Sequence, residues 1–278
     1  MAEDKKITQL TELTTPSNGD LIPIVHDPTG IPLTMYITPA NLQAALTTRM
    51  ANLEVGWIAL PNGTRVSDTS FTLPGNWSAL LRVGVKWKGY NVSQKYSYIL
   101  SSTFSSGTNL TTVNLVANLD YSLASGVITN TYFSYASPPD FPSRFNYPVA
   151  LTASTTNPVV GDGRLLGAFT VTDTTCRAWI NFAAGSTTTF GSGTWNFSMP
   201  MIAGTQAVSS LVNVGNYYAR DASTSTTVVG IARLPRGSST LNSFFSSSGA
   251  TVFAPTSPFT WANGDFADIA IDYTILND

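Results

Sequence analysis

The sequence has little charge. Asp, Glu, Lys and Arg make up 11% of its 278 residues, against about 25% in an average soluble domain. It has one histidine, His26, and one cysteine, Cys176. A single cysteine excludes a disulfide framework within the chain. With a single histidine beside it, a His/Cys zinc site is excluded as well. Glutamate occurs only at Glu3, Glu12 and Glu54, and no lysine follows Lys95. Residues 1–54 carry three positive and six negative side chains, residues 55–140 five and three, and residues 141–278 six and seven. No segment is basic enough to neutralise a run of phosphates, so nucleic acid is excluded as a partner. No apolar run reaches the ~20 residues of a membrane-spanning helix. The opening "MAEDKK" lacks the apolar stretch of a secretory signal, so the expectation is synthesis in a cytosol without membrane insertion.

Ser, Thr, Asn and Gly take the polar positions that charge leaves open. Such a surface costs little to bury against a copy of itself, because unpaired charge is what makes burial expensive. An oligomer is therefore expected ahead of a monomer.

Along the chain, "TPSNGD" and "HDPTG" are turn clusters. They flank "LIPIV" and precede "PLTMYI", two short segments able to pair around the second turn. Thr38 then stands as an N-cap with Pro39 at the first helical position. Leu42, Leu46, Met50 and Leu53 recur at helical spacing as a narrow apolar stripe, and Gly56 can end the helix. A helix of about four turns is marginal alone in water, so its stripe needs a partner. The favoured partner is two further copies of the same helix.

From residue 57 the periodicity changes to two. In "LRVGVKWKGY", Val83, Val85 and Trp87 share one phase, and Arg82, Lys86 and Lys88 the other. "KYSYIL", "TTVNLVA" and "VITNTYFSYA" complete a small antiparallel unit, and the proline-rich "SPPDFPSRFNYP" reads as a linker. Beyond it lie strand candidates at regular spacing: "RLLGAFTVT", "CRAWINFA", "GTWNFSMPM", "SLVNVGNYYAR", "TTVVGIARL" and "DFADIAIDYTI" among them. This pattern indicates a sandwich or jelly roll. Cys176, Trp179 and Trp195 alternate with apolar neighbours and are expected in its core.

No catalytic constellation stands out. His26 and Asp27 lie in a turn of a segment too small for a cleft, which argues against a Ser-His-Asp arrangement. "GDGRLLG" lacks the dinucleotide-binding pattern and precedes a strand, so it reads as a hairpin turn. A glycan hydrolase needs two carboxylates about 5–9.5 Å apart in a groove. Its candidates here are Asp162, Asp173, Asp221, Asp265, Asp268 and Asp272, most of them at turns or on strand faces. Asp265 and Asp268 could hold Ca²⁺ with backbone oxygens, though solvated turn residues are the simpler reading. No cofactor is expected. Tyr217, Tyr218 and Arg220, close to a loop, are the candidates for contact with a receptor.

Three stretches resemble parts of tailed-bacteriophage virion appendages. Ile7, Thr8, Leu10, Asp20 to Val25 and Ile37 to Leu42 resemble an N-terminal module of such proteins. "FTLPG" at 71–75, "LRVGVKWK" at 81–88 and "YSYILSSTF" at 96–104 resemble a stem module of phage tail and head appendages. "GNWSALLRVGVKW" replaces that module's more polar version. The closing "PFTWANGDFADIAIDY" resembles trimeric jelly-roll heads of the tumour-necrosis-factor type. The resemblance implies a mainly β homotrimer in three parts. These are a virion-attachment segment with one helix (1–55), a small antiparallel β domain (56–140) and a C-terminal jelly roll (141–278). Leu21, Ile22, Pro23, Ile24 and Val25 would form the anchor on a capsid, portal or tail protein. The head would face outward, toward a host-surface glycan or receptor. The implied role is structural and without enzymatic activity, on either the head or the tail of the particle. The alternative is a tail-side receptor-binding protein that depolymerises glycan.

Overall fold

The computed structural model describes residues 22–26, 33–42, 56–205, 213–246 and 249–275. The chain is mainly antiparallel β, with residues 39–42 helical. It divides into two compact units, residues 1–56 and 57–278.

In the first unit, β1 (Ile22–His26) pairs antiparallel with β2 (Leu33–Ile37), with Ile24 opposite Met35 and His26 opposite Leu33. The helix begins where its cap signal lies. The Thr38 hydroxyl accepts from the Asn41 amide at 3.2 Å, and the Thr38 carbonyl from the Leu42 amide at 2.9 Å. These bonds satisfy donors that the first helical turn cannot satisfy itself.

The second unit begins with β3 (Ile58–Ala59), β4 (Gly63–Ser67), β5 (Ser70–Pro74), β6 (Lys86–Asn91), β7 (Ser93–Ser105), β8 (Leu110–Leu115) and β9 (Val127–Ser134). Their order is β3-β9-β4-β5-β8-β7-β6, and a further pairing of β6 with β9 closes the ring into a barrel. Closure leaves no long exposed edge to template aggregation. Phe71, Leu73, Trp87, Ile99, Val113, Ile128 and Phe133 fill the interior.

The rest of the unit is a two-layered sandwich. One layer has the order β10-β12-β13-β20-β15-β16-β18-β19. Its strands are β10 (Phe145–Tyr147), β12 (Arg164–Thr172), β13 (Thr175–Ala183), β15 (Asn213–Arg220), β16 (Thr227–Leu234), β18 (Ser243–Ser246), β19 (Gly249–Thr251) and β20 (Phe266–Thr274). The other is a small sheet of β11 (Leu151–Ala153), β14 (Trp195–Ser198) and β17 (Thr240–Leu241). Phe169, Ile180, Phe182, Trp195, Phe197 and Ile271 meet between the layers.

Two expectations need correction. The stretch read as a linker is packed. Phe145 is buried, Phe141 lies against the same core, and Asp140 accepts from the Trp57 indole at 2.7 Å and from Lys88 at 2.8 Å. Its prolines pre-extend the backbone, and its aromatic residues supply the burial. Lys86, expected outside, is 6% exposed. The outer side of β6 is covered here by the rings of Tyr98 and Phe141, each with its centroid 5.9 Å from the ammonium. Barrel and sandwich are joined at Tyr98 of β7. Its hydroxyl donates to the Val171 carbonyl at 3.1 Å and accepts from the Val171 amide at 3.2 Å.

Candidate functional site

Among the described residues, the sandwich covers only one face of its large sheet. On that face β13 buries Cys176, Ala178, Ile180 and Phe182, and β20 buries Ala267, Ile269, Ile271 and Tyr273. The opposite phase of each strand points away from the core. Strand register sets these residues in rows across the sheet. One row runs Asn146, Ala168, Trp179, Ala270, Asn216, Ile231, Phe245. Beside it runs Leu166, Asn181, Asp268, Tyr218, Val229. On the other side lie Thr170, Arg177 and Asp272. The first two rows, from Asn146 to Ile231 and from Leu166 to Val229, line an open trough of about 1080 Å³, with Leu119 and Arg144 among its lining residues. Leu166 is 52% exposed, Val229 60%, Ile231 47% and Trp179 36%.

Several charged groups on this face are engaged within it, whereas Arg144 and Arg220 have no ion-pair partner among the described residues. Arg177 makes a two-pronged pair with Asp272 at 2.7 and 2.6 Å, which holds the Asp272 carboxyl below its usual range. Asn181 donates to Asp268 at 2.5 Å and accepts from Arg164 at 2.9 Å. Asn146 meets Asp120 through both its backbone and its side-chain nitrogen.

Of the residues proposed for receptor contact, Tyr218 and Arg220 share the outward phase, and Tyr218 stacks on Phe266 at 5.8 Å. Tyr217 does not join them. It is 3% exposed, with the rings of Phe244 and Phe253 at 5.4 and 5.1 Å. Trp179 errs in the opposite direction: expected in the core, it stands on the open face, whereas Trp195 is buried as expected. Cys176 is a core thiol, and burial pushes its pKa up to about 12.

Of the anchor residues, Ile22 to Val25 lie on β1, and Leu21 is outside the described residues. Of the helical stripe, Leu42 is 37% exposed, and Leu46, Met50 and Leu53 lie outside the described residues.

Three of the carboxylates considered for hydrolysis, Asp162, Asp221 and Asp265, hold turns instead. Asp265 is buried and accepts from the Ala222 and Ala262 amides at 2.8 and 2.6 Å. Asp221 caps Ser223 and Thr224, and those bonds lower its pKa. Asp162 accepts from the Thr187 amide and hydroxyl and from Ser186, which lower its pKa strongly. A proton donor in glycan hydrolysis needs the opposite shift. Among the described residues no cluster of three or more His, Cys, Asp or Glu could hold a metal ion. None of their helices is long and apolar enough to cross a membrane.

Compared with known proteins, the chain is similar to the Mu-like prophage FluMu defective tail fiber protein of Haemophilus influenzae. The two are 28% identical over 174 residues, 58% of this chain. The chain spans about a quarter of that relative's length, 26%. No family model matches it, and no solved structure does.

Proposed function

We propose that this chain is a structural subunit of a bacteriophage virion, a homotrimeric fibre on the tail side of the particle. The observation that carries the reading is the 174-residue similarity to a tail fiber protein. The architecture agrees with it: a capped helix and a short hairpin near the N-terminus, then a closed barrel and a sandwich. The N-terminal unit is the anchor. A short hairpin such as β1–β2 has unpaired backbone groups on its outer sides, which gain by joining the sheet edge of a tail, portal or capsid protein. Three anchors on one particle multiply attachment without new chemistry. The head faces outward and meets a host-surface glycan or receptor. The protein catalyses no reaction of its own. Asp162, Asp221, Asp265, Asp268 and Asp272 are committed to turns, amides or an ion pair, and Asp162, Asp221 and Asp272 are held ionised.

The test is to purify particles assembled with and without the intact gene and to quantify the chain by mass spectrometry. The chain should co-purify with particles in multiples of three and should be labelled by antibody at the tail. Its absence from purified particles would overturn the reading. Removal of residues 1–55 should abolish incorporation while leaving the remainder soluble.

A further inference from the structure

We infer that the open face of the eight-stranded sheet is the seam on which copies of this chain meet. The inference takes only the number of copies, three, from the function proposed above. Single exposed apolar side chains are ordinary on any surface. A contiguous set that lines one trough marks an interaction site. Leu166 and Trp179 on β12 and β13, and Val229 and Ile231 on β16, lie in adjacent rows of one face, and Ala270 and Tyr218 between them continue the apolar lining of the same trough.

The size of the face suits a protein partner. Five neighbouring strands about 4.8 Å apart, with outward residues about 6.7 Å apart along each, give a patch on the order of 600 Å². A standard interface takes about 800 Å² from each partner, so the patch with its rim is of that scale. Its chemistry suits a copy of itself. The Arg177–Asp272 pair and the Arg164–Asn181–Asp268 chain are already satisfied on the face. These groups demand no opposite charge from the partner, and Arg144, which lines the trough without an ion-pair partner among the described residues, is exposed and can stay in water. Ala168 and Ala270 stand directly opposite Trp179 on the two flanking strands, so a neighbouring backbone or side chain can come close beside the indole.

A sugar fits the face less well. Glycan sites offer free amides and carboxylates around an aromatic platform. Here Asn146, Asn181 and Asp268 are bonded to protein groups, which leaves Asn216 as the one uncommitted amide among the described residues lining the trough, and the remaining surface is largely apolar. Tyr218 therefore belongs to the seam and not to a receptor site, and Arg220 lies in the row at its border.

The experiment is light scattering on the full chain and three variants: Ile231→Asp, Trp179→Asp and, for the helical stripe, Leu42→Asp. Far-UV circular dichroism and the unfolding midpoint establish that each variant is folded. The parent chain should have a trimeric mass. Ile231→Asp and Trp179→Asp should fall to the mass of one chain while keeping the parent's spectrum, and Leu42→Asp should stay trimeric. Retention of the parent mass in both face variants overturns the inference, as does dissociation of Leu42→Asp alone. A parent chain that is monomeric up to its solubility limit also overturns it. Incorporation into particles, measured separately, keeps the two readings apart. A self-associating chain that never enters particles leaves the seam standing and removes the fibre. A chain that enters particles as a monomer does the reverse.

Discussion

Asp265 and Lys86 show how much can depend on one buried polar side chain. Asp265 joins two loops at one end of the sandwich through the Ala222 and Ala262 amides. Asp265→Ala leaves both donors without that partner, and an unsatisfied buried donor costs about 1–3 kcal/mol. A loss of about 3 kcal/mol in urea unfolding is expected. Lys86 is the opposite case, a buried charge without a carboxylate bonded to it. Desolvation lowers its pKa below 10.5, and the field of Asp173 opposes this only in part. The folded state thus releases this proton at a lower pH than the unfolded chain does. Between the two pKa values the unfolded chain holds more protons, so stability rises with pH through that window. Above about pH 10 the buried Tyr98, Tyr147 and Tyr273 act the other way. Burial raises their pKa values, so the unfolded chain ionises first and gains. Lys86→Met should remove that rise. At neutral pH it should stabilise by about 1 kcal/mol, because a packed apolar group replaces a poorly solvated ion. Unfolding midpoints of both proteins from pH 7 to 10 check the difference.

At the scale of elements, strand identity is legible and phase is less so. "RLLGAFTVT" coincides with β12, and "DFADIAIDYTI" brackets β20, because alternation over nine residues is unambiguous. The Thr38 cap was legible for a local reason, since the bond spans three residues. The phase of a strand depends on what covers each face, and the covering parts lie far away in sequence. In β15 two adjacent tyrosines make either phase plausible. The better clue was Arg220, two residues beyond Tyr218 and therefore on its side of the sheet. In β13 Trp179 sits between Arg177 and Asn181, so counting the phase would have placed it outside. Lys86 had no local clue, because its cover comes from Phe141, 55 residues on. The same long-range packing turned a proline-rich segment into core. Limited proteolysis should leave residues 137–148 uncut until the whole unit unfolds, and a first cut there would contradict its packing. Tyr98→Phe removes both bonds to Val171 and should cost about 2 kcal/mol in denaturant unfolding.

For the whole molecule, low charge and the open sheet face are two aspects of one design. A chain with 11% charged residues has little electrostatic repulsion between copies, and on the open face Arg177 and Asp272 are paired with each other. Association through this face should then depend on apolar burial, and its response to solvent follows. Raising sodium chloride from about 0.05 to 0.5 M shortens the screening length to a few ångströms and should leave the trimeric mass unchanged. Replacing chloride by sulfate should strengthen association, since sulfate favours the removal of apolar surface from water, and cooling should weaken it. If chloride alone dissociated the trimer, the seam would instead be held by unneutralised charges such as Arg144 and Arg220. Substituting those two arginines by glutamine would then reproduce the effect at low salt. Sedimentation velocity across the two salts and two temperatures separates the alternatives, because apolar burial and ion pairing respond to added chloride in different ways.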